Sequence, residues 1–193
     1  MAVSIFENYW AEVASLLGRN PSHKGFSIEL SENPPTLFDG RTIVGRLYDS
    51  LDCDGWENTS HGRNWEWRPE VLVHQAETGE VALERDIVAA DALCQWSFQM
   101  STGSGIDGRR RSIDLVRRMA PHQYAFVELK VTGGDNPLYA TFELLSYALA
   151  YLHARRRNWH GRGRHDVMDA QAVNLIVLGP GDWYEYKKRG TPH

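Results

Sequence analysis

Between residues 4 and 17 the apolar side chains Phe6, Tyr9, Trp10, Val13, Leu16 and Leu17 recur every three or four positions, the period of one helix face. Ser4 stands where a cap belongs and Gly18 where the helix should stop. The pattern then shortens: Phe26 to Leu30 and Ile43 to Leu51 read as strands, with turns at Asn33-Pro34-Pro35 and Asp39-Gly40. Residues 52–69 are rich in Gly, Asn, Asp and Trp and predict irregular surface structure. Helical spacing returns at Glu80 and carries Val81, Ile87, Val88, Ala92 and Leu93 as far as about residue 93, with Glu84, Arg85 and Asp91 at polar positions.

A short strand over Gln95 to Met100 leads into a glycine-containing loop, Ser101 to Gly108. Arg111 to Arg118 and Tyr124 to Val131 are two further strands around a turn at Pro121, spaced as an antiparallel hairpin. Asn136, or Asp135, caps a long helix whose first residue is Pro137 and which runs to about Arg156. Leu138, Phe142, Leu145, Leu149 and Leu152 form one face of it. Tyr147, Ala148 and Tyr151 broaden that face, so the helix should pack on more than one side. The unbroken apolar run Val173 to Leu178 reads as an interior strand, ended by Gly179-Pro180-Gly181. From Glu80 the order is helix, strand, strand, strand, helix, strand, which predicts an α/β fold with a mixed sheet covered by helices. Residues 1–79 are expected to form an α+β extension packed on a core of residues 80–193, one compact domain in all.

Composition agrees with one globular unit: 193 residues, 42% hydrophobic and 24% charged, exclude a chain disordered throughout. No apolar stretch reaches the roughly 20 residues that cross a bilayer, and no basic start precedes an apolar run, so no membrane partner is expected and the cytoplasm is the default location. Cys53 and Cys94 lie in no CxxC, and the histidines show no HExxH spacing, which sets zinc aside. A net charge of −4 would disfavour nucleic acid if it were spread evenly. It is not: Arg109, Arg110, Arg111, Arg117 and Arg118 form one basic cluster, and Arg155, Arg156, Arg157, Arg162 and Arg164 another. These runs are either solvated faces or a phosphate track, and the second reading requires both to flank one cleft.

The chemistry concentrates in Glu128-Leu129-Lys130. On a strand Glu128 and Lys130 project together, while Val127, Leu129 and Val131 face the other layer. Asp114 lies between Ile113 and Leu115 on the neighbouring strand and can meet Glu128 across the hairpin. Opposed carboxylates repel unless a cation separates them. Mg2+, or Mn2+ in its place, takes hard oxygen ligands such as Asp114, Glu128 and the Leu129 carbonyl, with Lys130 left to orient or deprotonate water and to offset charge on a phosphate. An Asp-to-ExK pattern can also be an ordinary salt bridge, and Asp107 offers a second aspartate in the preceding loop.

Asp114, thirteen residues, then Glu128-Leu129-Lys130 resembles the PD-(D/E)xK nuclease superfamily over about residues 80–179, with Ile113 where many members carry proline. The resemblance implies a restriction-endonuclease-like core, Asp114 and Glu128 as metal ligands and Lys130 as the catalytic lysine. It further implies Glu84 as a helix-borne metal ligand, and Tyr139 or Glu143 as an auxiliary group on the following helix. The expected function is Mg2+-dependent hydrolysis of phosphodiester bonds in DNA, less readily RNA. Arg109 to Arg111 and Arg155 to Arg157 would contact the phosphate backbone, and a homodimer would suit cleavage of a duplex. The alternative is a nuclease-like scaffold that cleaves nothing and binds nucleic acid or protein, with Trp56, Trp65 and Trp67 as candidate contacts.

Overall fold

The computed structural model describes residues 6–17, 39–51, 64–69, 79–102, 111–131, 137–157 and 166–184. The expected strand at 26–30, the capping residues Ser4, Asp135 and Asn136, Asp107, Arg109, Arg110, Arg162, Arg164 and Trp56 lie outside them. Helix α1 spans Glu7–Leu17, α2 Gly40–Asp49 and α3 Glu80–Ala89. Strands β1 (Trp96–Ser101), β2 (Ser112–Ala120) and β3 (Gln123–Leu129) follow, then α4 (Pro137–Arg157), a 3-10 turn at Asp166–Asp169, β4 (Ala172–Leu178) and the single turn α5 (Gly181–Tyr184). The strands form one mixed sheet in the order β1-β2-β3-β4, antiparallel up to β3 and parallel between β3 and β4. The protein is therefore α/β, a four-stranded mixed sheet flanked by helices, with α4 the crossover between the parallel strands.

The layers follow from strand alternation. Tyr124 and Phe126 of β3 enter a large cluster shared with α4, α1 and α2, while Ala125 and Val127 face a smaller one closed by Val88 of α3. Helix α4 reaches the sheet through Ala140, Leu144, Tyr147, Ala150, Tyr151 and Ala154, all buried. The expected leucine face is thus displaced: Leu152 is exposed and Phe142 and Leu145 are only partly covered. Small side chains let the helix backbone approach the sheet, and the long ones pack sideways against α1. There the Tyr9 hydroxyl donates to the Phe142 carbonyl at 2.7 Å and Trp10 stacks on Tyr139. The expectation of packing on more than one side holds.

Three elements depart from expectation. The stretch 43–51 is not a strand but lies in α2 as far as Asp49, because Asp39 is an N-cap: its carboxylate accepts from the Arg41 N–H and the Thr42 hydroxyl. Ile43 and Leu47 then fall on one helical face turned to the core, and Leu51, just past the helix, enters the same cluster. Helix α3 stops at Ala89 rather than near Leu93, since the Asp91 carboxylate takes the backbone N–H groups of Leu93, Gln95 and Trp96 and folds the chain into β1. Finally, β4 is an edge strand among the described residues, with Leu175, Ile176 and Leu178 each about 40% exposed. The opposite edge is covered. Residues 64–69 run along β1, with Trp65 N–H on the Ser101 carbonyl and Phe98 N–H on the Arg68 carbonyl. That segment buries Trp65 and Trp67, which removes both as surface contacts for a partner or a base. Among the described residues no helix is long and apolar enough to cross a membrane.

Candidate active site

The two central strands, β2 and β3, separate at one point. Strand β1 pairs with β2 through Phe98 opposite Leu115 and Met100 opposite Ile113, which sets Gln99 across from Asp114. Strand β2 pairs with β3 only as far as Leu115 opposite Val127. One residue beyond, Asp114 meets β3 with its side chain: Oδ2 accepts from the Leu129 N–H at 2.8 Å. The carboxylate thus satisfies a backbone donor that the ladder leaves free, and it stands against the middle residue of Glu128-Leu129-Lys130.

Glu128 and Lys130 lie on the face of β3 turned to α4, 3% and 7% exposed. The Lys130 Nζ is 2.6 Å from Glu128 Oε1 and 3.6 Å from Glu143 Oε2, and the Tyr147 hydroxyl donates to Glu143 Oε1 at 3.4 Å. From α3, the buried Glu84 accepts from Gln99 Nε2 at 3.1 Å, and Glu80 accepts from the Val131 N–H at 3.2 Å. Asp114 acts electrostatically on both Glu84 and Glu128, Glu80 on Glu84 and Asp114, and Glu143 on Asp114 and Glu128, with Lys130 as the ammonium among them.

That excess of acid in a buried place sets the protonation. Burial, and then the neighbouring Asp114, push the Glu84 carboxyl up to about 8. Burial raises Asp114 to about 6 against the pull of the Leu129 N–H and of Lys130. Glu128 rises well above the carboxylate range, first through burial and then through Asp114 and Glu143. For Lys130 burial acts downward, but Glu128, Glu143 and Asp114 outweigh it, so the group is held above its ordinary value and is an ammonium. Burial and the adjacent Glu143 keep the Tyr147 phenol neutral. Such a cluster must take up protons or a cation to stay buried.

The donor set fits a hard divalent cation. Asp114, Glu128 and the Leu129 carbonyl are all oxygen donors, and Glu128 Oε2 is buried with no hydrogen-bond partner among the described residues. The side chains are nonetheless drawn to protein donors, and among the described residues no group of three or more His, Cys, Asp and Glu stands arranged to hold a metal. Of the other expected residues, Glu84 joins the cluster and Glu143 reaches Lys130, while Tyr139 stacks on Trp10. Arg111 lies over the Phe6 ring and acts on Tyr147, which places it beside the cluster. Arg155, Arg156 and Arg157 are exposed at the far end of α4, about 18 Å along the axis from Glu143 at 1.5 Å per residue.

Sequence reasoning missed Gln99, Glu80 and Tyr147. Two of them carried a signal: Glu80 precedes Glu84 by one helical turn, and Tyr147 follows Glu143 by one. Nothing in the sequence marks Gln99.

Comparison with protein-family models, curated proteins and solved structures finds no match. The class is therefore defined by fold and site alone: an α/β protein whose mixed sheet opens onto a buried acidic cluster with one lysine.

Proposed function

We propose that the protein is a metal-dependent nuclease with a restriction-endonuclease-like core of the PD-(D/E)xK type, hydrolysing phosphodiester bonds of DNA, or less readily of RNA. The observation that carries this is the meeting of Asp114 with Glu128-Leu129-Lys130 where β2 leaves β3, with Glu128 Oε2 buried and without a hydrogen-bond partner among the described residues. Asp114, Glu128 and the Leu129 carbonyl would hold Mg2+ or Mn2+, with Glu84 on the α3 side. A divalent cation there supplies charge stabilisation to a phosphoryl group. Lys130, protonated beside Glu128 and Glu143, donates hydrogen bonds to water or to a phosphate oxygen and is not the base in this state. Glu143, held by Tyr147, keeps that ammonium in place.

Arg111 beside the cluster is the nearest described contact for a phosphate backbone, and Arg155 to Arg157 would meet the same strand farther along. Arg109 and Arg110 belong to the first of these contacts by sequence.

A second reading has one observation in its favour. The direct Lys130–Glu128 pair at 2.6 Å already supplies a cation to the cluster, as a scaffold that binds without cleaving would require. One experiment separates the two. Mn2+ binding is measured by calorimetry on the parent, Asp114→Ala and Glu128→Ala proteins, with cleavage of single-stranded and duplex DNA followed on the same samples. The nuclease reading expects binding and cleavage in the parent and neither in the variants. A folded parent that binds no Mn2+ rules it out.

A further inference from the structure

Two residues apart, Phe98 and Met100 would share one face of a regular strand. They do not: Phe98 packs on the cluster of Val88, Leu115 and Val127, whereas Met100 lies in the large cluster with Tyr9, Trp65 and Tyr147. Their partners on β2 divide in the same way, Leu115 with the first and Ile113 with the second. The change of face falls on Gln99, whose φ of +37° lies in the left-handed region that residues with a Cβ rarely enter. Across from it stands Asp114, at the point where pairing of β2 with β3 ends.

The side chain of Gln99 serves the same place. Its Nε2 donates to Glu84 Oε2, and Glu84 is only 2% exposed. An amide suits that position. It satisfies a buried carboxylate oxygen without neutralising the charge that would draw a cation, which a lysine or arginine would do. Unusual backbone held in mid-strand beside buried acids is found where geometry is being imposed on a site.

We propose that Gln99 is a positioning residue for the acidic cluster: its left-handed backbone turns Asp114 toward β3, and its amide fixes the Glu84 carboxylate. This rests on the reading of the cluster as a metal-dependent nuclease centre, and the two fail separately in the following test. Gln99→Gly keeps a residue suited to positive φ but removes the amide, and Gln99→Ala removes the amide and keeps the backbone demand. Thermal midpoint and Mn2+ affinity are measured for both, and the Gln99 side-chain amide signals are followed in the 15N-labelled parent and in Glu84→Ala.

The expected result is a Gln99→Gly midpoint at or above that of Gln99→Ala, with Mn2+ affinity reduced about tenfold or more in both. The parent amide signals should exchange slowly and move to free-amide positions in Glu84→Ala. Parent affinity retained in both Gln99 variants overturns the proposal and leaves the nuclease reading standing. A parent that binds no Mn2+ overturns the nuclease reading; the Gln99 contact is then judged by its amide signals, and free-amide positions in the parent overturn it too.

Discussion

Replacing Glu84 by glutamine should make the protein more stable, by an amount that depends on pH in a defined way. Glu84 is 2% exposed, and its carboxyl is raised from an ordinary 4.5 to about 8 by burial and by the nearby Asp114. At pH 7 the folded protein therefore holds a proton there that the unfolded chain does not. Because the native state binds the extra proton, stability falls as pH rises above 4.5 and levels off above about 8. Each pH unit in that window is worth about 1.36 kcal/mol, so the carboxyl costs about 3 kcal/mol at pH 7 and about 1 kcal/mol at pH 5.5. Glutamine has the same shape, keeps an acceptor for Gln99 Nε2 and never ionises, so it removes that cost. Urea denaturation followed by tryptophan fluorescence, at both pH values and without divalent metal, reads the difference directly. Glu84→Gln should gain stability at pH 7 and lose most of the gain at pH 5.5. A variant less stable than the parent at pH 7, or an equal difference at both pH values, would refute the reasoning.

Metal affinity should follow the same protons. Glu84 near 8 and Asp114 near 6 must lose them to become ligands, so Mn2+ affinity rises between pH 5.5 and 8 and binding releases protons, read as a dependence of the calorimetric heat on the buffer's ionisation enthalpy; affinity flat across that range would contradict it. Lys130→Met strips the ammonium from between Glu128 and Glu143 and should cost about 3 kcal/mol or more in urea denaturation at pH 7. A variant as stable as the parent would count against it. Tyr9→Phe removes the hydroxyl on the Phe142 carbonyl and should cost about 1 kcal/mol in urea denaturation, with no measurable loss arguing that α1 is not anchored there.

Much of the α/β pattern is legible in residue order because it depends on local periodicity. Alternation marks β1 to β3, and Pro137 followed by a broad apolar face marks α4 to within a residue or so. The same local logic isolates Asp114 and Glu128-Leu129-Lys130, since charged side chains on otherwise apolar strands have few places to go. It fails where a long-range partner decides. The stretch Ile43 to Leu51 opens on β-branched side chains and reads as strand, yet it is helical as far as Asp49, with an apolar face that packs against α1 and α4. The run Val173 to Leu178 reads as interior, but strand order is a property of the whole sheet, and among the described residues it pairs with β3 alone and stands at the edge.

By itself the sequence determined that Glu84, Asp114, Glu128, Lys130 and Glu143 were candidates for one site and which elements carry them, because side-chain period and capping chemistry act over a few residues. Only the tertiary structure decided how the cluster closes. The left-handed turn at Gln99, the splitting of β2 from β3 at Asp114, the arrival of Glu80 and Glu84 from α3 and the seat of Lys130 between Glu128 and Glu143 all join residues far apart in the chain. The burial that raises the carboxyls of Glu84, Asp114 and Glu128 is likewise supplied by several elements at once, so no local stretch of sequence encodes it.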